Sequence, residues 1–295
     1  MLSRTADSLF WMSRYIERAE NTARMLDVQR QAILLPNAFA AQSAGFGQAL
    51  HEMVADADNP SSIVSCLAAA RENSRIVRGS VNTDIWETVN ATWLELQTHL
   101  AGGRWHRDPA SLFDWVKIRS HLFRGVMIGT MLKDEAFHFM RLGTFLERAD
   151  NTARILDVKY DIDDQDALSL PVAPPSDRAD YYYWASVLRS VSALEIYRKV
   201  YRDAITPRRV AELLIQRADM PRSLLACMNE VCLNLEQITE AQGTETQRLA
   251  GRLRADLQFL RVDEAFEEDI HEFLTHFLEQ VYMLGRRISG EFLGG

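Results

Sequence analysis

Two stretches of this chain carry acidic, basic and amide side chains in the same order. Residues 17–28 read Glu-Arg-Ala-Glu-Asn-Thr-Ala-Arg-Met-Leu-Asp-Val, and residues 147–158 read Glu-Arg-Ala-Asp-Asn-Thr-Ala-Arg-Ile-Leu-Asp-Val. They lie 130 positions apart and differ only at Glu20/Asp150 and Met25/Ile155. A carboxylate set among guanidiniums can receive a substrate amine or take a proton, and the guanidiniums can grip a carboxylate through two parallel bonds. The candidate cluster comprises Arg14, Glu17, Arg18, Asn21 and Arg24 from the first copy and Glu147, Arg148, Asn151 and Arg154 from the second. Arg71 and Glu72, in Ala-Arg-Glu-Asn at 70–73, complete it.

Helices must position these groups. Leu9, Met12, Ile16, Ala19, Ala23 and Leu26 recur every three or four residues, and Phe139, Leu142, Leu146, Ala149, Ala153 and Leu156 repeat that spacing. Each set forms one apolar stripe, and its alanines let a neighbouring helix come close. Glu17, Asn21 and Arg24 fall on the far face. Glu20–Arg24 and Asp150–Arg154 are i, i+4 pairs in the favourable order. Two readings stand: a solvated face laced with helix ion pairs, or a buried polar network whose charges need fixed partners.

A match this long marks an internal duplication. The chain is therefore read as one domain over 1–295, all-α, a bundle of about ten helices. It consists of two pseudo-symmetric repeats, 1–130 and 131–295, sharing one core. A second echo supports this reading. Residues 57–67, Ala-Asp-Asn-Pro-Ser-Ser-Ile-Val-Ser-Cys-Leu, match residues 218–228, Ala-Asp-Met-Pro-Arg-Ser-Leu-Leu-Ala-Cys-Met, at an offset of 161. Pro60 suits a first helical turn with Asn59 as its cap. Helices are expected near 5–30, 43–56, 61–79, 83–101, 110–129, 132–160, 178–202, 207–217, 222–240, 244–260 and 263–292. Loops are expected over 34–47 and 161–175.

Other chemistries find little footing. No Gly-rich phosphate loop, dinucleotide fingerprint or Gly-x-Ser-x-Gly elbow occurs, so no cofactor and no ATP site are expected in this chain. His271 and His276 are i, i+5 and cannot share a zinc ion on one helix face. Glu135/His138 and Glu268/His271 have the Glu-x-x-His spacing of di-iron bundles but sit at non-equivalent repeat positions, so no metal is assigned. Net charge −8 gives no bulk footprint for nucleic acid, although Arg208, Arg209, Arg217 and Arg222 form a local basic group. The longest apolar run, 126–132, is too short for a bilayer, and no leader pattern opens the chain. Three unpatterned cysteines, Cys66, Cys227 and Cys232, fit a reducing cytoplasm and read as small buried hydrophobes.

The chain resembles the bacterial alpha-E domain family over nearly its whole length. The resemblance rests on Leu2-Ser3-Arg4, Trp11-Met12-Ser13-Arg14-Tyr15-Ile16-Glu17-Arg18-Ala19-Glu20-Asn21, Asn59-Pro60-Ser61-Ser62-Ile63, Ala70-Arg71-Glu72-Asn73, Trp86 with Asn90, Phe145-Leu146-Glu147-Arg148-Ala149 and Pro221-Arg222-Ser223. The first half departs from the family pattern by being shortened after Phe46. The resemblance implies an all-helical companion of circularly permuted ATP-grasp ligases, with a transglutaminase-like peptidase as a further partner. Neither nucleic acid nor membrane is an expected partner.

Three functions follow as expectations. The first is a non-ATP-binding component of an amide- or peptide-ligase system, holding the ligase or its peptide or amino-acid substrate through the Glu-Arg motif. The second is a stand-alone enzyme with Glu17 or Glu147 as general base, with a di-metal carboxylate site as its variant form. The third is a purely structural ion-pair cluster, pairing Glu17 with Arg148 and Glu147 with Arg18.

Overall fold

The computed structural model describes residues 1–33, 40–166, 177–239, 243–262 and 269–294. Among them are twelve α-helices and no strand, which makes the protein all-α. In order they are α1 (Ser3–Ile33), α2 (Ala40–Val54), α3 (Ile63–Ile76), α4 (Thr83–Ala101), α5 (Pro109–Thr130), α6 (Glu135–Asp166), α7 (Asp177–Ser190), α8 (Leu194–Tyr201), α9 (Pro207–Ile215), α10 (Leu224–Ile238), α11 (Glu245–Phe259) and α12 (Ile270–Ile288). A 3₁₀ turn spans Arg104–His106, and a π turn closes α12 at Ser289–Leu293.

The chain forms two compact units. The first comprises Met1–Glu147, Asn234–Glu240 and Ile288–Gly295; the second comprises Arg148–Leu233 and Ala241–Arg287. In the first unit α1 packs chiefly on α3 and α5, and α4 closes against both of those. Ala19, Ala23 and Leu26 meet Leu50, Val54, Ile63, Cys66, Leu96 and Phe113 in one apolar cluster. Both expected stripes are buried throughout, and the alanines are fully inaccessible. At Gly143 the backbone of α6 lies against the backbone of α1, because a Cβ there would collide with the Phe10 carbonyl group. Gly143, beside the stripe, thus sets how closely these two helices pack.

In the second unit α7, α8 and α9 contact one another around Trp184, Leu188, Tyr197 and Leu214, all fully buried or nearly so. The Tyr197 hydroxyl donates to Ala204 O (2.8 Å) and accepts from Thr206 N (3.2 Å), bracing the turn into α9. Gln216 donates to Leu257 O and Leu260 O, tying the end of α9 to that of α11.

The echoed segments make equivalent local bonds. Thr22 donates to Ser61 O, and Thr152, 130 positions on, donates to Arg222 O, 161 positions beyond Ser61. Ser62 caps α3 by accepting from Ser65 N (3.1 Å), as Ser223 accepts from Ala226 N (3.0 Å) before α10. Asp108 accepts from Ser111 N and Asp269 from Glu272 N, again 161 apart.

Several boundaries differ from expectation, each for a local reason. Ser62, not Asn59, caps α3; Asn59 instead accepts from Ser61 N in the turn before it. The expected helix over 178–202 is two helices. Ser192 adopts φ +56°, Ala193 N bonds Leu188 O and Ser192 N bonds Arg189 O, which together close α7 in a Schellman motif. The sequence hides this stop because Ser192 is neither Gly nor Asn. The loop expected over 34–47 already contains the first turns of α2, and α6 continues to Asp166, past the expected loop start at 161. Residues 34–39 and 167–176 lie outside the described residues, as do 263–268, on which the expected start of the last helix falls.

Candidate functional site

The first copy of the motif stands on α1, with Arg14, Glu17, Arg18, Asn21 and Arg24 on successive turns. Glu147 reaches the same group from α6. Arg14 Nη2 lies 2.7 Å from Glu147 Oε2, and Arg14 Nε donates to the same oxygen at 2.8 Å. Arg18 grips both oxygens of Glu147, through Nε to Oε1 (2.5 Å) and Nη2 to Oε2 (3.0 Å). This is the fork-on-carboxylate geometry expected of arginine. Of the two cross-helix pairs foreseen, the Glu147–Arg18 pair is therefore formed. Aromatic rings carry the two guanidiniums: Arg14 lies over Trp11 at 4.7 Å and Arg18 over Tyr15 at 5.9 Å.

The neighbouring carboxylates take their partners from α5. Arg124 Nη1 bridges Glu17 Oε2 (2.8 Å) and Glu20 Oε2 (2.5 Å). Ser120 Oγ donates to Glu20 Oε2 (2.7 Å), and Arg24 Nε donates to Glu20 Oε1 (2.8 Å). His121 Nε2 sits 3.3 Å from Arg24 Nη2 and 3.5 Å from Glu20 Oε1, with its ring half exposed. The side chains of Glu17, Glu20 and Glu147 are 1%, 0% and 6% exposed, so the first copy forms a buried network.

Burial alone would raise the Glu147 pKa, but Arg14 and Arg18 outweigh it and hold the carboxyl below its ordinary value. Burial opposes the charge on Arg18, and Glu147 more than restores it, so that pKa is raised. Behind Arg18 lies Cys66, a buried free thiol that desolvation pushes up to about 12 despite the nearby guanidinium.

The second copy is arranged differently. Asp150 and Arg154 form the expected i, i+4 pair at 2.8 Å, but the Arg154 side chain is 60% exposed. Arg148 is buried and donates to Pro221 O at 3.4 Å. Asn21 and Asn151 are both buried. Arg71 donates to Asn90 Oδ1 (2.8 Å), and Glu72 forms an exposed pair with Arg75 (2.6 Å). The structure thus unites Arg14, Arg18 and Glu147, joins Glu17 to Glu20 and Arg24 through Arg124, and engages Arg71 and Glu72 elsewhere on α3 and α4.

Sequence reasoning missed Ser120, His121 and Arg124 as partners of the motif, and it named Glu20 only as the i, i+4 partner of Arg24. One signal was present. Ser120 interrupts the apolar stripe Leu112, Val116, Phe123, Met127 of α5, with Arg124 one turn on. The positions 161 further along are Val281, Tyr282 and Gly285, so α12 carries no such polar set.

Among the described residues, no three His, Cys, Asp or Glu side chains converge as a metal-binding group; Glu268 lies outside them. His138 Nδ1 instead meets Asn234 Oδ1 at 2.8 Å. No helix among the described residues is long and apolar enough to cross a membrane. What the cluster can do chemically is hold negative charge: the guanidiniums of Arg14, Arg18, Arg24 and Arg124 already hold the buried carboxylates of Glu17, Glu20 and Glu147.

No curated protein and no solved structure matches the chain. The sequence model of Alpha-E, described as a predicted alpha-helical domain with a conserved ER motif, matches residues 1–293, and the Glu-Arg pairs at 17–18 and 147–148 lie within that match. The chain belongs to the Alpha-E family.

Proposed function

We propose that this protein is a non-ATP-binding helical component of an ATP-grasp amide- or peptide-ligase system. It holds the ligase, or the ligase's peptide or amino-acid substrate, through the Glu-Arg motif. The supporting observation is the pre-organised guanidinium cluster of α1 and α5, which has its rim at Arg18 and His121. Fixed guanidiniums bind a carboxylate with little ordering cost, and carboxylates are what amide ligases activate. Nucleotide chemistry belongs to the partner, a circularly permuted ATP-grasp enzyme, in keeping with the absence of a Gly-rich phosphate loop in this sequence. A transglutaminase-like peptidase is the further partner, and the setting is the bacterial cytoplasm.

The stand-alone enzyme reading draws less support. Glu147 has both oxygens engaged and its pKa held down, which makes a weak general base. The structural reading is favoured by a specific observation, the near-complete burial of Glu17 and Glu20. Arg18→Lys separates it from the binding role, because it keeps the charge opposite Glu147 but loses the fork. If the variant melts as wild type yet loses retention of the purified ATP-grasp ligase, or lowers ligase output, the binding role stands. If retention and output match wild type, the binding role fails, and a lowered melting temperature in the same variant supports the role in the fold.

A further inference from the structure

We infer that Arg71, Asn90 and Arg78, on the seam between α3 and α4, form a second binding site, which takes an extended peptide bearing carboxylates at alternate positions. Arg71 is half-buried on α3 and donates through Nε to Asn90 Oδ1 of α4 at 2.8 Å. That is its only hydrogen bond among the described residues, so both Nη groups keep their N–H donors unspent. The contact also fixes the amide. An arginine N–H can only donate, so Asn90 turns its oxygen to Arg71 and keeps Nδ2 as a further donor beside it. Glu72 adjoins Arg71 in the chain but is clasped by Arg75 through bonds of 2.9 and 2.6 Å. Arg78, exposed in the turn after α3, lies over the Trp86 ring at 5.3 Å and makes no hydrogen bond among the described residues.

Each guanidinium is thus held by one neighbour and left open on its other edges. An arginine oriented in this way grips a carboxylate through two parallel bonds at little ordering cost. Charge favours an acidic ligand, since residues 71–78 carry three arginines and one glutamate. Spacing favours an extended one. Asn90 and Trp86, which hold the two guanidiniums, are four residues apart on α4, a rise of about 6 Å. Alternate side chains of an extended strand leave the same face about 6.6–6.8 Å apart. Two glutamates separated by one residue therefore meet one guanidinium each. Helix packing alone does not explain these side chains. The residues 161 positions beyond Arg71, Arg78, Trp86 and Asn90 are Cys232, Thr239, Gln247 and Gly251, so the second repeat does without them.

Fluorescence polarisation of a labelled peptide containing Glu-Ala-Glu, titrated with the full-length chain, tests the site, and saturable binding is expected. Arg71→Lys keeps the charge and a bond to Asn90 but loses the Nη edge, so it should weaken binding about tenfold with an unchanged melting curve. Asn90→Asp gives Arg71 a stronger acceptor while removing the amide donor and adding negative charge. It should fold at least as stably as wild type and bind at least about tenfold more weakly. Arg248→Ala, which removes an exposed arginine of α11, should leave the affinity unchanged. The Glu-Glu-Ala isomer of the peptide should bind more weakly than the Glu-Ala-Glu form. No saturable binding, an equal loss in Arg248→Ala, wild-type affinity in Asn90→Asp, equal affinity for the isomer, or displacement of the peptide by inorganic phosphate at equal concentration would each overturn the proposal.

Discussion

Glu147 shows how a buried carboxylate is retained. Taking it out of water is costly, and two guanidiniums with rigid, charge-assisted bonds offset that cost. Its lowered pKa has a direct consequence for acid stability. A carboxyl whose folded pKa lies below its unfolded value of about 4.5 stabilises the fold above that value, and the contribution is lost as pH falls through the folded pKa. The urea midpoint should therefore drop on acidification below pH 4.5, and Glu147→Gln should flatten that part of the profile while lowering stability near neutrality. An unchanged slope in the variant would show that other carboxyls dominate. Cys66 illustrates the opposite balance, since desolvation there outweighs the nearby Arg18. Thiolate is the reactive form, so an aromatic disulfide reagent should leave Cys66 unmodified in the native protein and label it once denatured.

At the scale of helices, Gly143 and Ser192 are positions where one residue governs an element. Gly143 permits the α1–α6 approach that delivers Glu147 to Arg14 and Arg18. A methyl group at 143 would stand 3.1 Å from the Phe10 carbonyl carbon and closer still to its oxygen, and backbone cannot rotate aside as a side chain can. Gly143→Ala should destabilise by about 1–3 kcal/mol or more, although alanine is the better helix former. Thermal melting decides this, and a stabilised variant would mean that the helices separate readily. Ser192 shows why helix existence was legible while helix ends were not. Apolar periodicity at 178–202 announces helix, but a left-handed serine gives no compositional warning of a stop.

Across the whole chain, the same motif meets two environments. Arg24 is 5% exposed beside a fully buried Glu20, whereas Arg154 is mostly in water beside Asp150. Arg24→Ala should therefore cost about 1.5–3 kcal/mol, because buried Glu20 loses one charged partner while keeping Arg124 and Ser120, while Arg154→Ala should stay within about 0.5 kcal/mol. Equal losses in chemical denaturation would contradict this asymmetry. The first copy owes its enclosure to another helix: Ser120 and Arg124 reach it from α5, whereas the residues 161 positions further along the sequence are Val281 and Gly285.

The sequence alone determined the all-helical class, both apolar stripes and membership of the Alpha-E family, and it offered the pairing of Arg18 with Glu147 as one alternative. These are readable because they rest on helical periodicity and on a near-identical internal match, both of which are read from short stretches of the chain. The enclosure of Glu17 and Glu20, and their sharing of Arg124, were decided only by tertiary structure. A polar helix face becomes interior when another helix covers it. The covering residues lie about a hundred positions away, in a segment whose own pattern does not name its partner.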